Sequence, residues 1–275
     1  MSPGAPTSVD VSVIVPTYRE AENLGVLIPR IRDALEPLGV VYEILIVDDD
    51  SRDGTDAVVT QMATTCPVRL IVRTQERDLS LAVLDGLRAA QGAALVVMDA
   101  DHSHPPEALP ALINALDTPP TDFVIGSRYV PGGRTEDWGG RRRLNSYVAT
   151  LLCRPLTGRV TDPMAGFFAI ARSTFQRGER FNPIGYKIGL ELICRCACTH
   201  IAEVPITFRN RVHGQSKLSL TQQINYLIHL DRLYREFHRG WGFLARPALW
   251  LMIAILTVLR GIHHLVAPRR SGSDD

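Results

Sequence analysis

Acidic residues collect after short apolar runs in this chain: Asp48-Asp49-Asp50 after YEILIV, Asp99-Ala100-Asp101 after ALVVM, and, more weakly, Thr161-Asp162 after Val160. In open α/β sheets ligands bind beyond the carboxyl ends of the strands, so these carboxylates are expected to share one crevice. Like charges gathered there need a cation or a hydrogen-bond donor, because each raises the pKa of the next. Alternating positions put Asp99 and Asp101 on one side of an extended chain, which suits a hard divalent ion that also bridges a diphosphate. Such an ion would neutralise charge on a departing diphosphate. D-x-D alone is a common strand end or helix cap; its place directly after ALVVM singles it out.

Around this acidic centre stand groups with a second possible use. Pro16-Thr17-Tyr18-Arg19-Glu20 closes the first apolar run and places a ring and a carboxylate at the crevice mouth. Tyr18 either packs on a base or ribose, or the segment starts a helix with Thr17 as N-cap and Glu20 as its capping-box partner; both can hold together. Asp48 to Asp50, followed by Ser51, Asp53, Gly54 and Thr55, reads either as a ligand-contacting turn or as an ordinary turn before an N-cap. Basic groups appear later, at Arg128, Arg141-Arg142-Arg143, Arg211 and Lys217. On a helix Arg142 and Ser146 share one face, a geometry able to hold phosphate oxygens, though a run of arginines is also what a solvated face looks like.

The elements that position these groups follow from periodicity. Val11 to Val15 and Tyr42 to Val47 read as buried parallel strands, with a helix between them carrying Leu24, Leu27, Ile28, Ile31 and Leu35. Val68 to Val72 and Ala94 to Met98 add two more strands about a helix near Leu81 to Ala90, giving a mostly parallel, doubly wound sheet. Phe123 to Ile125, a Gly132-Gly133 turn and a basic helix over Arg141 to Cys153 follow, in a less regular second half. The first strand leads to PTYREAEN and not to a G-x-G-x-x-G turn, which excludes a Rossmann dehydrogenase.

Bulk properties narrow the partners. Thirty basic residues against 29 acidic in 275 residues leave a formal charge of +1, with no field to favour nucleic acid. The five cysteines lack zinc or redox spacing and read as small buried apolar residues in a reducing compartment. Met1 to Asp10 has neither a basic nor an apolar signal region, so no secretory signal and a cytoplasmic catalytic part are expected. Pro247 to Val266 is about long enough to cross a bilayer, but Arg260, His263 and His264 interrupt it. It reads as a single span or an interfacial helix, with a buried soluble helix as a third reading. The expected organisation is a loose N-terminus (1–10), a catalytic domain (11–240), a membrane-associated or single transmembrane helix (241–268) and a polar tail (269–275).

Taken in order, VPTYREAENL, VDDDSRDGT, VMDADHSHPPE, IGSRYVPGG, DPMAGFFAI, PIGYKIGLELICR and EVPITFRNRVHGQSKLSL closely resemble the dolichol-phosphate (polyprenol-phosphate) mannose synthases of inverting glycosyltransferase family 2. The resemblance runs from about Val11 to Leu230. It implies a GT-A nucleotide-diphospho-sugar transferase fold, a GDP-mannose-type donor, Mg2+ or Mn2+ and a polyprenyl-phosphate acceptor; with the signal-free N-terminus and the apolar segment at 247–266, the expected location is the cytoplasmic face of a membrane. Carried over by position, Pro16, Tyr18, Glu20, Asp48 and Asp49 would contact the nucleotide, and Asp99 and Asp101 the metal and diphosphate. Arg128, Arg142 and Ser146 would grip the acceptor phosphate, and Arg211 and Lys217 would belong to a segment closing over the donor.

The chain departs from that pattern at Arg19, where the group usually has Asn, at Arg52, where it usually has Pro, at Asp78 and Leu81, where small residues are common, and at Ser103, where some relatives have Gln near the metal. The expected reaction needs no dedicated base, because a phosphate oxygen is already ionised and can attack the anomeric carbon once aligned, inverting it. Alternatives are the same reaction with another donor, such as UDP-glucose, or a non-catalytic membrane scaffold.

Overall fold

A computed structural model describes residues 8–136, 140–209, 220–237 and 242–266, while the side chains of 141, 142, 242–245, 259 and 261–266 lie outside the description. The first half alternates regularly: β1 (Val11–Thr17), α1 (Ala21–Leu35), β2 (Tyr42–Asp48), α2 (Thr55–Met62), β3 (Val68–Val72), α3 (Leu79–Ala89) and β4 (Ala94–Val97). There follow α4 (Leu109–Leu116), β5 (Phe123–Ser127), β6 (Arg134–Thr135), α5 (Gly140–Thr157), β7 (Phe168–Ala171), α6 (Arg172–Phe175), α7 (Ile188–Arg195), β8 (Ile201–Pro205), β9 (Thr207–Phe208), α8 (Leu220–Phe237) and α9 (Gly242–Val266).

The main sheet has seven strands in the order β3-β2-β1-β4-β7-β5-β8. Only β7 runs against its neighbours, pairing antiparallel with β4 and β5. The chain steps outward from β1 through β2 to β3, then returns to β4 on the other side of β1. That reversal between β1 and β4 is the switch point at which loops leave the sheet in opposite directions and open a crevice.

Strand alternation builds two cores. Val13, Val15, Ile44, Ile46 and Val96 face the layer of α1, α2 and α4, whereas Ile14, Leu45, Val47, Leu95 and Val97 face α3 and α7. Both faces are covered, so these strands are predominantly apolar, as buried parallel strands are. A third cluster joins α5, α7, α8 and α9 through Cys153, Leu190, Leu230, Tyr234 and Leu249. All five cysteines are free and buried. Burial pushes the thiols of Cys153 and Cys196 up to about 12, which leaves them inert at neutral pH.

Three expectations change. The capping box does not form: Thr17 ends β1 and donates to Asp48 Oδ1 at 3.0 Å, while α1 starts at Ala21, whose amide is capped by Asp53 Oδ2 at 3.1 Å. Asp53 Oδ1 also accepts from the Thr55 amide and hydroxyl, so one carboxylate ties the starts of two helices. The second half also holds two main-sheet strands that lack a clear alternating pattern, β7 and β8. Finally, among the described residues no helix is long and apolar enough to cross a membrane. α9 instead buries Leu249 and Ile253 toward α8 and leaves Trp250, Leu251, Ile255 and Val258 exposed.

The third cluster encloses Glu191, which is fully buried. One of its oxygens lies 2.7 Å from His229 Nε2, and the other accepts from Arg195 Nε at 3.0 Å and from the Asn182 amide at 2.8 Å. Burial opposes its charge, yet His229, Asn182 and Arg195 hold the carboxyl below its ordinary value. Replacing Glu191 by Gln removes one partner from a buried ionic group and is expected to cost about 3–5 kcal/mol at pH 7. The lowered folded pKa makes this stability present above the unfolded value of about 4.3 and lost as pH falls through the folded one. Urea unfolding at pH 7 and in acid should therefore show the gap between wild type and Glu191→Gln closing, and an unchanged gap would contradict the assignment.

Candidate active site

The β1 and β2 ends form one wall. Asp48 ends β2 and is buried, accepting from Thr17 Oγ1 at 3.0 Å, the Ser51 amide at 2.8 Å and Ser51 Oγ at 2.5 Å. Asp49 pairs with Arg73 and accepts from the Asp78 amide at 3.1 Å. Burial pushes the Asp49 carboxyl up, against the pull of Arg73. Both carboxylates are thus supported by the protein, and each retains lone pairs for a ligand. Arg73 was not singled out from the sequence, although it directly follows β3 and so obeys the same strand-end rule as the acids.

Tyr18 lies at the mouth with its ring 4.0 Å from the Arg77 guanidinium carbon and 5.3 Å from that of Arg19. Pro16 is buried in β1, and Glu20 accepts from Asn23 Nδ2 at 2.5 Å. Arg19 has φ +61°, a left-handed backbone that Asn adopts at lower cost than Arg, and its amide donates to Ser51 Oγ at 2.7 Å. Arg52 is likewise at φ +52°, which Pro cannot adopt, so this turn departs locally from the pattern of the resembling group.

Asp99 and Asp101 follow β4, but not as extended chain: the strand ends at Val97 and the segment bends, with His102 at φ +61°. Asp101 is buried and accepts from the Ser103 amide at 3.1 Å; Asp99 is partly open. His104, also buried, accepts the Asp99 amide proton on Nδ1 at 3.0 Å and stacks on Phe167 at 5.2 Å. Burial lowers its pKa, so the ring is neutral at pH 7 and serves as a fixed support for Asp99. Among the described residues no three His, Cys, Asp or Glu side chains gather into a ready-made cation cage. Ser103 Oγ is fully buried beside Asp101 and has no partner. Two carboxylates and an orphaned hydroxyl fit a divalent ion whose remaining positions come from water and a ligand's phosphate oxygens.

The opposite wall is basic. Arg128, at the end of β5, donates from Nε and NH2 to the two oxygens of Asp162 at 2.7 and 2.6 Å, and its amide adds a third bond at 3.0 Å. This corrects the reading of Thr161-Asp162 as a third acidic strand end: the pair lies in the loop before β7, and Asp162 is consumed by Arg128. Ser146, on α5, accepts from Tyr129 Oη at 2.8 Å. Arg142 lies on the same helix, but its side chain is outside the described residues, as are Arg211 and Lys217 entirely. Arg128, Arg134, Arg143 and Arg154 line a cavity of about 560 Å3 together with Tyr129 and Tyr147, and no acidic residue is among its described lining.

A doubly wound, mostly parallel sheet with acidic groups at its switch point and a basic cavity across the crevice defines the GT-A class of nucleotide-sugar transferases. The chain belongs to glycosyltransferase family 2: the model described as Glycosyl transferase family 2 matches residues 12–178. It is 44% identical over 228 residues to a dolichol-phosphate mannosyltransferase of Pyrococcus furiosus, a match covering 82% of this chain and 64% of that protein, so it spans just under two thirds of that relative's length. It is 39% identical over 269 residues to the dolichol-phosphate mannosyltransferase of Saccharomyces cerevisiae, covering 94% and 99% of the two chains. The fold is shared with mannosyl-3-phosphoglycerate synthase from Rubrobacter xylanophilus, at a TM-score of 0.64 and 21% identity over 83% of this chain and 74% of that one. It is also shared with glucosyl-3-phosphoglycerate synthase from Mycobacterium tuberculosis, seen with Mn2+ and UDP, at 0.60 and 22% over 84% and 81%. The protein is a glycosyltransferase.

The Arg128–Asp162 pair allows structure and function to be separated. Arg128→Met strands a buried carboxylate and is expected to cost about 3–5 kcal/mol of stability, whereas Arg128→Met with Asp162→Leu recovers most of that loss. Sugar transfer should stay abolished in both. Recovery of transfer in the stable double variant would reduce Arg128 to a packing role.

Proposed function

We propose that this glycosyltransferase moves mannose from GDP-mannose to a polyprenyl phosphate, giving a β-linked polyprenyl-phosphate mannose, at the cytoplasmic face of a membrane. The observation that carries the acceptor half is the cavity of four arginines, with no acidic residue among its described lining, because it suits an anion and adjoins an apolar surface. Leu144, Tyr147 and Leu151 of α5 are exposed at helical spacing there, so a phosphate held among arginines has apolar contacts available for its chain. The names of the relatives support mannose and a polyprenyl phosphate; free cysteines fit a reducing compartment.

Pro16, Tyr18, Glu20, Asp48 and Asp49 are assigned to the nucleotide, with Arg211 and Lys217 closing over it. Asp99 and Asp101 would hold Mg2+ or Mn2+, which when bound neutralises charge on the diphosphate as the bond to the sugar breaks. Arg128, Arg142 and Ser146 orient the acceptor phosphate. Its oxygen needs no proton removed at neutral pH, so these side chains act by alignment and charge compensation, and a single displacement inverts the anomeric centre.

The exposed apolar residues of α9 are assigned to the lipid surface, as an amphipathic helix lying in the interface. Serine at Trp250, Leu251 and Ile255 should release most of the protein from liposomes in a flotation assay, and unchanged flotation would remove α9 from that role.

The reaction is tested by incubating radiolabelled GDP-mannose with a polyprenyl phosphate in detergent with Mg2+ or Mn2+, beside Asp101→Ala. Lipid-linked label with β configuration by NMR, lost by orders of magnitude in the variant, is the expected result. Label from UDP-glucose alone would replace the donor, retained configuration would discard the mechanism, and no label from either donor would leave a scaffold.

A further inference from the structure

Three alternate positions of one loop meet three charged groups. Asp162 accepts from Nε and NH2 of Arg128, the Met164 carbonyl accepts from Lys187 Nζ at 3.0 Å, and Gly166 lies against Asp99, where an added Cβ would stand 3.5 Å from both carboxylate oxygens. Lys187, just before α7, therefore sits between the basic wall and the D-x-D segment, within the electrostatic reach of Arg128, Asp162, Asp99 and Cys153. Its Nζ also lies 4.4 Å from the Tyr186 ring centroid.

The pair beside Lys187 is already balanced. The Arg128 guanidinium is matched one to one by the fully buried Asp162, so that pair contributes direction but no net charge. The Lys187 ammonium donates to one carbonyl, and among the described residues no carboxylate lies within ion-pair distance of it, which leaves donor capacity for a ligand.

Building on the acceptor assignment above, we propose that Lys187 binds the acceptor phosphate, supplying beside the Arg128–Asp162 pair the positive charge that this pair cannot. Burial, reinforced by Arg128, pushes the ammonium down to about 8, so it remains mostly protonated at neutral pH, and an approaching phosphate would favour the charged form further. The role is distinct from the donor contacts at β1 and β2, which lie across the switch point.

The test compares wild type, Lys187→Met and Lys187→Arg. A charge-assisted hydrogen bond of this kind is expected to contribute about ten- to a hundredfold in affinity. Lys187→Met should raise the KM for polyprenyl phosphate by that factor, with the KM for the sugar nucleotide changed less than about twofold, and Lys187→Arg should restore most of the acceptor affinity. Direct binding of polyprenyl phosphate in detergent without donor should weaken in parallel, while thermal melting and nucleotide binding report on folding. An unchanged acceptor KM, a rise in both KM values together, or a loss traced only to unfolding would overturn the proposal. Wild type that transfers no mannose, yet binds polyprenyl phosphate in a Lys187-dependent way, would overturn the reaction and leave this assignment standing.

Discussion

Burying a carboxylate is costly unless it is paired and hydrogen-bonded, and Asp162, with no solvent exposure, is paired with Arg128. The bidentate bond fixes the plane of the guanidinium at the end of β5. It also pins the loop that leads into β7, whose next alternate positions meet Lys187 and Asp99. β7 in turn is the antiparallel strand wedged between β4 and β5, so the same interaction sets the spacing between the D-x-D segment and the basic wall. Glu203 completes the bracket by accepting from the Thr161 hydroxyl and the Thr161 and Asp162 amides at 2.7 to 3.1 Å.

The two walls of the crevice manage charge in different ways. On the β2 side, Asp48 is satisfied by neutral donors and Asp49 by a buried arginine, so the acidic cluster is stable before any ligand arrives. On the β4 side, support reaches the backbone more than the carboxylates: His104 takes the Asp99 amide and Ser103 gives its own to Asp101, while the Ser103 hydroxyl is left without a partner. Local satisfaction is thus complete where a rigid wall is needed and incomplete where a ligand must complete it.

What the sequence revealed and what it hid have physical reasons. Strands buried on both faces read as continuous β-branched runs, and α1 carries its core residues at 3.6-residue spacing, so β1 to β4 and the switch-point crevice were legible. Asp48, Asp49, Asp99 and Asp101 followed because each stands just past a strand. β7 and β8 were not legible: FAIA is only four residues long, and IAEVP carries a glutamate whose partner, the loop at Thr161, is 42 positions away. Long-range pairings of this kind leave no local pattern, which is also why Asp162 read as a third strand-end acid and Lys187 was not singled out. The extended geometry assumed for Asp99 to Asp101 failed because β4 ends at Val97, two residues before Asp99, and His102 turns the chain through the left-handed region.

The basic cavity draws its character from a single stripe of α5. Arg143, Tyr147, Thr150, Leu151 and Arg154 line it at spacings of four, three, one and three residues, which keeps them on one helical face. Cations at both ends of the stripe and a ring and an aliphatic chain between them form a surface that is neither a plain salt-bridge face nor an apolar docking face. Solvated arginines alone would hold a free anion weakly, because water competes well for an exposed charge. Rings and aliphatic chains alone would bind lipid without regard to its head. Their interleaving along one helix, opposite a guanidinium already oriented by Asp162, favours a ligand that is an anion at one end and a hydrocarbon at the other.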